Sequence, residues 1–124
     1  MSKIVFLILI SSFTLFAFEW KTYQSAQIEQ QKTNKLIMID VVRTGCHYCT
    51  DMEKDVFEDK EMAEWIENRF IPVKMNLDDD ELPLDLKVSI TPTFFFIDKN
   101  EKVVKKVPGS WNIEDFKSLT EKLK

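Results

Sequence analysis

Cysteine, glycine and histidine are scarce in this chain of 124 residues, which contains two cysteines, two glycines and one histidine. Two cysteines cannot build a disulfide-rich scaffold, and they cannot supply the four thiolates of a structural zinc site. Acidic residues outnumber basic ones, so the formal net charge is -4, which argues against a nucleic-acid partner. With 44% hydrophobic residues, a chain of this length is expected to form one packed domain rather than a disordered polymer.

One long apolar run stands at the amino terminus and has the build of a secretory signal peptide. Lys3 supplies the positive charge, and residues 4–18 supply the apolar stretch. Hydroxyl side chains interrupt the stretch and it stops at Glu19, short of the ~20 apolar residues that a membrane-spanning helix needs. The sequence therefore predicts export, with a signal peptide at residues 1–17 and one domain at residues 18–124. An uncleaved anchor formed by residues 4–18 is the alternative.

Patterns typical of strands and helices alternate after this segment. An apolar, β-branched run from Leu36 to Val42 predicts a strand buried on both faces. An apolar stripe at helical spacing predicts a helix that ends before Pro72. The stripe consists of Met62, Trp65, Ile66 and Phe70. Further strands are predicted at residues 71–77, 94–97 and 103–104, and further helices at residues 23–32 and after Asn112, the predicted cap. Together these elements predict a three-layer α/β fold.

The chemistry of the sequence is concentrated at Cys46-His47-Tyr48-Cys49. The two cysteines follow a buried strand and a short turn, which places them at the start of the next helix. There, Cys46 meets the positive end of the helix dipole and free backbone N–H groups, which stabilise a thiolate. Cys46 is therefore the predicted nucleophile. Cys49, one turn further along the same face, is the predicted resolving cysteine.

Other uses of the cysteine pair fit the residues less well. A structural disulfide that closes so short a loop removes little chain entropy from the unfolded state. Zinc would find three ligands in Cys46, His47 and Cys49 but no fourth in the motif. Covalent haem attachment needs a histidine where this chain has Thr50. Thiol–disulfide exchange needs no cofactor and no metal, and neither is expected.

Several segments of the chain together resemble exported bacterial thioredoxin-fold proteins. The segments are the strand from Leu36 to Val42, the Cys46-x-x-Cys49 motif, Met52, Phe57-Glu58-Asp59, the strand from Phe70 to Asn76 and Thr91-Pro92-Thr93. Within that superfamily, the chain is most similar to periplasmic thioredoxin-like proteins and to thioredoxin-like domains of the Dsb-type thiol:disulfide interchange family. The resemblance implies a thioredoxin fold, in which helices flank a central mixed β-sheet, and a periplasmic location.

The resemblance also implies a client-binding surface. Pro92 matches a proline that is cis in the family and lies beside the dithiol; a trans proline that opens a strand is the alternative. Thr91, before it, would offer backbone groups to an extended client segment. Gly109 matches a glycine that lets a client chain approach, with Pro108 beside it. Tyr48 is expected to line the same surface or to cover the start of the helix.

Two further side chains are candidates for proton transfer and one for redox tuning. Asp40 interrupts an apolar strand at a position where the family often has a buried acid, so it could accept the proton of Cys49, with a pKa raised by desolvation. Lys74 on the neighbouring predicted strand is its candidate partner. The alternative is that Asp40 only bonds backbone groups. A protonated His47 would stabilise the Cys46 thiolate and make the disulfide a better oxidant.

The sequence therefore predicts an exported thiol:disulfide oxidoreductase that acts as a monomer on disulfide-bearing or dithiol client proteins. A reductant in an oxidising compartment must receive electrons from a membrane electron-transfer protein, and this reducing role is the preferred prediction. Oxidase or isomerase activity on the same fold is the alternative. A noncatalytic thioredoxin-fold module that only binds clients is the alternative from a different class.

Overall fold

The computed structural model describes residues 19–124. Its helices are α1 (Tyr23–Lys32), α2 (His47–Met52), α3 (Lys60–Arg69) and α4 (Ile113–Thr120). Its strands are β1 (Leu36–Val42), β2 (Phe70–Asn76), β3 (Thr93–Ile97) and β4 (Val103–Pro108). A π-helical turn (Glu53–Phe57) joins α2 to α3, and a 3-10 turn (Pro83–Asp85) precedes β3. The predicted signal peptide and the alternative anchor lie outside the described residues. Between residues 19 and 124, no helix is long and apolar enough to cross a membrane.

The four strands form one mixed sheet in the order β2-β1-β3-β4. Strands β1 and β2 are parallel, whereas β1 pairs with β3, and β3 with β4, in antiparallel fashion. The parallel pair requires a crossover, which α2, the π-helical turn and α3 supply. Residues 36–41 of β1 are all buried, because this central strand is covered on both faces. The predicted three-layer thioredoxin fold, a mixed sheet flanked by helices, is confirmed.

Alternating side chains of the sheet divide the core into two clusters. One cluster contains Met38 of β1 and aromatic rings that meet edge to face, among them Phe57, Phe94 and Phe116. The other cluster contains Ile39 of β1 and packs against α1. The helices of the redox motif therefore lie on the aromatic side of the sheet.

One sequence prediction about the core needs correction, because Phe70 does not belong to a helix. Helix α3 ends at Arg69, and Phe70 is the first residue of β2. Pro72 explains the early end, since proline cannot continue a helix and disfavours helical geometry in the residue before it. The ring of Phe70 is still buried, and its centroid lies 4.9 Å from that of Phe96 on β3. The apolar side chain of Phe70 therefore packs in the core as part of the sheet and not as part of the helix.

The predicted start of the last helix is confirmed. The Asn112 side chain accepts a hydrogen bond from the backbone N–H of Asp115 at 2.8 Å and so caps α4. Phe116 is fully buried, and Ile113 and Leu119 pack against the same cluster. This helix closes the aromatic core beneath the redox motif.

Candidate active site

A tight turn carries the chain from β1 into the cysteine motif. Gly45 has a φ of +72°, in the left-handed region that favours glycine, although a Cβ there would meet nothing within 4 Å. The backbone conformation, rather than space, therefore accounts for glycine at this position. The N–H of Cys46 then donates to the carbonyl of Arg43 at 3.2 Å, which closes the turn. Cys46 becomes the N-cap residue of α2, as the sequence predicts.

The two cysteines are joined in a disulfide, with their Cα atoms 5.3 Å apart. Both side chains are half-buried. The backbone N–H of Cys49 donates to Cys46 Sγ at 3.1 Å, and the hydroxyl of Thr91 donates to the same sulfur at 3.3 Å. In the reduced protein, two such donors favour the thiolate over the thiol of Cys46. Cys46 is thus accessible and surrounded by groups that suit a nucleophile.

The predicted client-binding residues gather around one loop. The peptide bond between Thr91 and Pro92 is cis, and the Thr91 carbonyl oxygen lies 3.6 Å from Cys46 Sγ. The carbonyl of Pro92 accepts a hydrogen bond from the N–H of Gly109 at 2.8 Å. Gly109 has a φ of +95°, which glycine adopts readily, and the adjacent Pro108 is exposed. The structure therefore brings these four residues to the same side of the dithiol.

His47 and Tyr48 lie at the exposed front of the dithiol. The Tyr48 side chain is 64% exposed, so it does not cover the start of the helix as a buried ring would. The His47 side chain is 82% exposed, and its Nε2 lies 3.4 Å from the carboxylate of Asp51. Solvent and this neighbouring carboxylate both weaken any field that a protonated His47 exerts on Cys46.

Asp40 is fully buried in the middle of β1 and in register with Lys74, whose side chain lines a depression at the cysteines; we call this side the back of the dithiol. Its Oδ1 has no hydrogen-bond partner among residues 19–124. Burial raises the pKa of Asp40 from 3.8 to about 7; the positive charge of Lys74 lowers it and the negative charge of Glu53 raises it. A carboxyl group with a pKa near neutrality exchanges a proton under ordinary conditions, as a general acid–base group must.

Lys74 is in register with Asp40 on the neighbouring strand, but its ion pair is made with a different carboxylate. Its Nζ lies 2.6 Å from Oε2 of Glu53, and both side chains are about one-third exposed, at 31% and 35%. Lys74 therefore influences its predicted partner Asp40 through its charge, while its direct ion pair is made with Glu53. Sequence reasoning missed Glu53, and the only available signal was its spacing of four residues from Cys49, which puts both on one helical face.

A shallow depression of about 240 Å³ connects this charged pair with the cysteines. It is lined by Val42, Arg43, Gly45, Cys46, Cys49, Thr50, Glu53 and Lys74. Solvent therefore reaches the side of the dithiol that faces Lys74. In the part of the chain that the structure describes, no three histidine, cysteine or acidic side chains are grouped so that they could hold a metal ion.

Comparison with known proteins agrees with this arrangement. The family model of the thioredoxin-like domain matches residues 23–124. A thioredoxin from Thermus thermophilus is 27% identical with a TM-score of 0.72, and the match covers 85% of this chain and 86% of the other. No curated protein matches this sequence.

Two further solved structures share the fold at lower identity. The DsbH oxidoreductase is 16% identical with a TM-score of 0.70, and the match covers 86% of each chain. The C-terminal domain of DsbD from Neisseria meningitidis is 14% identical with a TM-score of 0.65, and the match covers 82% of this chain and 91% of the other.

Fold and site lead to the same activity. The Cys-x-x-Cys pair is half-buried, lies at the start of a helix and is at disulfide distance. A pair in this arrangement can carry out thiol–disulfide exchange. The protein is a thiol:disulfide oxidoreductase, and its chain belongs to the family of thioredoxin-like domains.

Proposed function

We propose that this oxidoreductase is exported to the periplasm and reduces disulfides in client proteins, with Cys46 as nucleophile and Cys49 as resolving residue. The observation that carries the assignment of roles is the pair of hydrogen-bond donors on Cys46 Sγ, the N–H of Cys49 and the hydroxyl of Thr91. Export is supported by the signal-like build of residues 1–17.

The first chemical step forms a mixed disulfide. The Cys46 thiolate attacks one sulfur of the client disulfide, the client S–S bond breaks, and the other client sulfur leaves as a thiolate that takes a proton from solvent. Thr91 carries the client segment: its backbone groups lie next to Cys46 Sγ and suit pairing with an extended chain. Tyr48, Pro108 and Gly109 form the remaining contact surface around the sulfur.

The second step releases the client. Cys49 gives its proton to the carboxylate of Asp40, and the resulting thiolate attacks Cys46 Sγ. The Cys46–client bond breaks as the Cys46–Cys49 disulfide forms, so the client is reduced by two electrons and the enzyme is oxidised by two. Lys74 and Glu53 set the charge around Asp40 during this transfer.

The reducing direction is supported by the surroundings of His47. A dithiol protein is a strong oxidant when the thiolate of its reduced form is highly stabilised. Here, the His47 charge is screened by solvent and by Asp51, so it adds little to the two donors on Cys46. Because an exported reductant would be oxidised after one turnover, a membrane electron-transfer protein must reduce it again.

The direction is tested by equilibrating the protein with glutathione buffers and quantifying the Cys46–Cys49 disulfide. We expect a reduction potential close to the thioredoxin value of about -270 mV. A value near about -120 mV, typical of a strong oxidant, would overturn the reducing direction and favour disulfide donation. An insulin-reduction assay on the same samples checks the activity, and a Cys46→Ser protein that kept full activity would reject the catalytic role of the dithiol.

A further inference from the structure

The segment between the predicted signal peptide and α1 reaches the back of the redox site. The N–H of Lys21 donates to the carbonyl of Pro72 at 2.9 Å, and Lys21 forms a parallel bridge with Val73 at the edge of β2. This bridge fixes the preceding residue, Trp20, against the aromatic side of the sheet. There, the Trp20 ring meets the ring of Phe57 edge to face, with centroids 5.4 Å apart.

Trp20 also contacts the lysine of the proton-transfer site. The Lys74 ammonium lies over the Trp20 ring, 4.4 Å from its centroid, and on another side it meets the Glu53 carboxylate at 2.6 Å. Tryptophan offers the strongest aromatic face to a cation, and such contacts strengthen where water is partly excluded. Lysine otherwise has a flexible four-carbon stem that would swing freely toward solvent. Trp20 and Glu53 together thus limit where the Lys74 charge can lie.

We propose that Trp20 is a positioning residue of the reaction, because it holds the Lys74 ammonium close to Asp40 and so promotes proton transfer from Cys49. The inference rests on the proposed function, in which Asp40 accepts that proton. In this proposal Trp20 acts through Lys74 and not on the reacting sulfur atoms. Its effect falls on the second step, since the hydrogen bonds that stabilise the Cys46 thiolate come from Cys49 and Thr91 rather than from Lys74.

The charged groups around this site fix the direction of the effect. Asp40 on β1 faces Lys74 on β2 and Glu53 of the π-helical turn, and Arg43 lines the same depression but pairs outward with Asp78. Lys74 stabilises the ionised form of Asp40. When Trp20 no longer restrains it, Lys74 samples positions farther from Asp40, and the carboxyl group stays protonated to higher pH. The release of the client then requires a higher pH.

The test uses Ellman's reagent, an aromatic disulfide that reports each step as release of one coloured thiolate. In stopped-flow mixing with the reduced full chain, attack by Cys46 gives a first phase and resolution by Cys49 gives a second. We expect Trp20→Leu to raise the pH midpoint of the second phase by about 0.5 unit and to leave the first phase unchanged. Trp20→Phe, which keeps a weaker aromatic face and the packing on Phe57, is expected to shift the midpoint by less, in the same direction.

The same Trp20 substitution in a Lys74→Met protein separates a positioning role of Trp20 from a role in packing. In a Lys74→Met protein, Trp20→Leu is expected to cause no further shift, because the charge that Trp20 restrains is gone. The inference is overturned if Trp20→Leu leaves the second-phase midpoint unchanged, if it moves both phases equally, or if the shift persists in Lys74→Met. If wild-type protein shows no first phase that depends on Cys46, the proposed function itself fails; two normal phases with no effect of Trp20 reject only the positioning role.

Discussion

The side chains in front of the disulfide and Asp40 behind it differ sharply in their exposure to water. In front, His47 and Tyr48 are 82% and 64% exposed, so solvent screens the charge of His47 before it reaches the sulfurs. Behind, Asp40 is buried and within the electrostatic influence of a half-buried lysine–glutamate pair. A given change in charge should therefore alter the pKa of neighbouring groups more behind the dithiol than in front of it. We expect the buried side to govern proton transfer and stability, and the exposed side to govern client contact.

The largest effect is expected from the cysteines that divide the two sides. Cys46→Ser removes the nucleophile, so client reduction should fall to the background rate, whereas Cys49→Ser should still form a mixed disulfide but not release it. Mass spectrometry of each variant after incubation with a client disulfide checks this difference. Absence of a mixed-disulfide adduct in Cys49→Ser would contradict these roles. Accumulation of the adduct in Cys46→Ser instead would show that the roles of the two cysteines are reversed.

A second large effect is expected from Asp40, measured as stability against pH. The pKa of Asp40 in the folded protein, about 7, lies above its ordinary value of 3.8, so the folded state holds the proton more tightly than the unfolded state. Stability therefore falls as pH rises from about 4 to about 7, by on the order of 4 kcal/mol at 1.36 kcal/mol per pKa unit. Asp40→Asn should remove this loss and stabilise the protein by up to that amount at alkaline pH, with little change at acid pH.

Urea unfolding of the oxidised protein at the two pH extremes measures that gain. Asp79→Asn is the matched control, because Asp79 is exposed and its substitution should change stability by less than about 0.5 kcal/mol. An equal gain for both variants, or none for Asp40→Asn, would show that burial of Asp40 does not cost stability.

The sequence anticipates the local part of this site better than its long-range part. The positions of Cys46 and Gly45 follow from a strand, a turn and a helix that are adjacent in the chain, and local patterns reveal them. The carboxylate of Glu53 stands among several acidic residues of the same segment, and its spacing of four residues from Cys49 is the only local signal that distinguishes it. Its function depends on a π-helical turn and on a lysine that the parallel pairing of β2 brings to it, 21 residues later in the chain. The role of Trp20 is not predictable from the sequence for the same reason, because its contact with Lys74 joins residues that are far apart in the chain.

A moderate effect is expected from Glu53→Gln. Trp20 still holds the Lys74 ammonium over its ring in this variant, and loss of the Glu53 charge leaves the Lys74 charge unopposed near Asp40. The pKa of Asp40 should therefore fall, and the second phase with Ellman's reagent should shift to lower pH by about 0.5 unit. This direction is opposite to that expected for Trp20→Leu. Glu58→Gln, an exposed change one turn further on, should leave the midpoint in place. A common shift in both glutamine variants would point to net charge rather than to the ion pair with Lys74.

The smallest effect is expected in front of the dithiol. His47→Ala should change the rate of the first phase by less than about threefold at neutral pH and moderate salt, because solvent and Asp51 screen the imidazole. The measurement is the first-phase rate at low and at moderate ionic strength. A tenfold loss that persists at moderate salt would show that the exposed side tunes Cys46 after all, and the contrast between the two sides would disappear.

The central claim is that Cys46, which accepts two hydrogen bonds at the start of α2, is the ionised cysteine of the reduced enzyme. Brief alkylation of the reduced full chain with substoichiometric iodoacetamide at neutral pH, followed by peptide mass analysis, tests it directly. We predict that Cys46 carries nearly all of the label and that Cys49 remains free. Preferential labelling of Cys49, or equal labelling of both, would contradict the account.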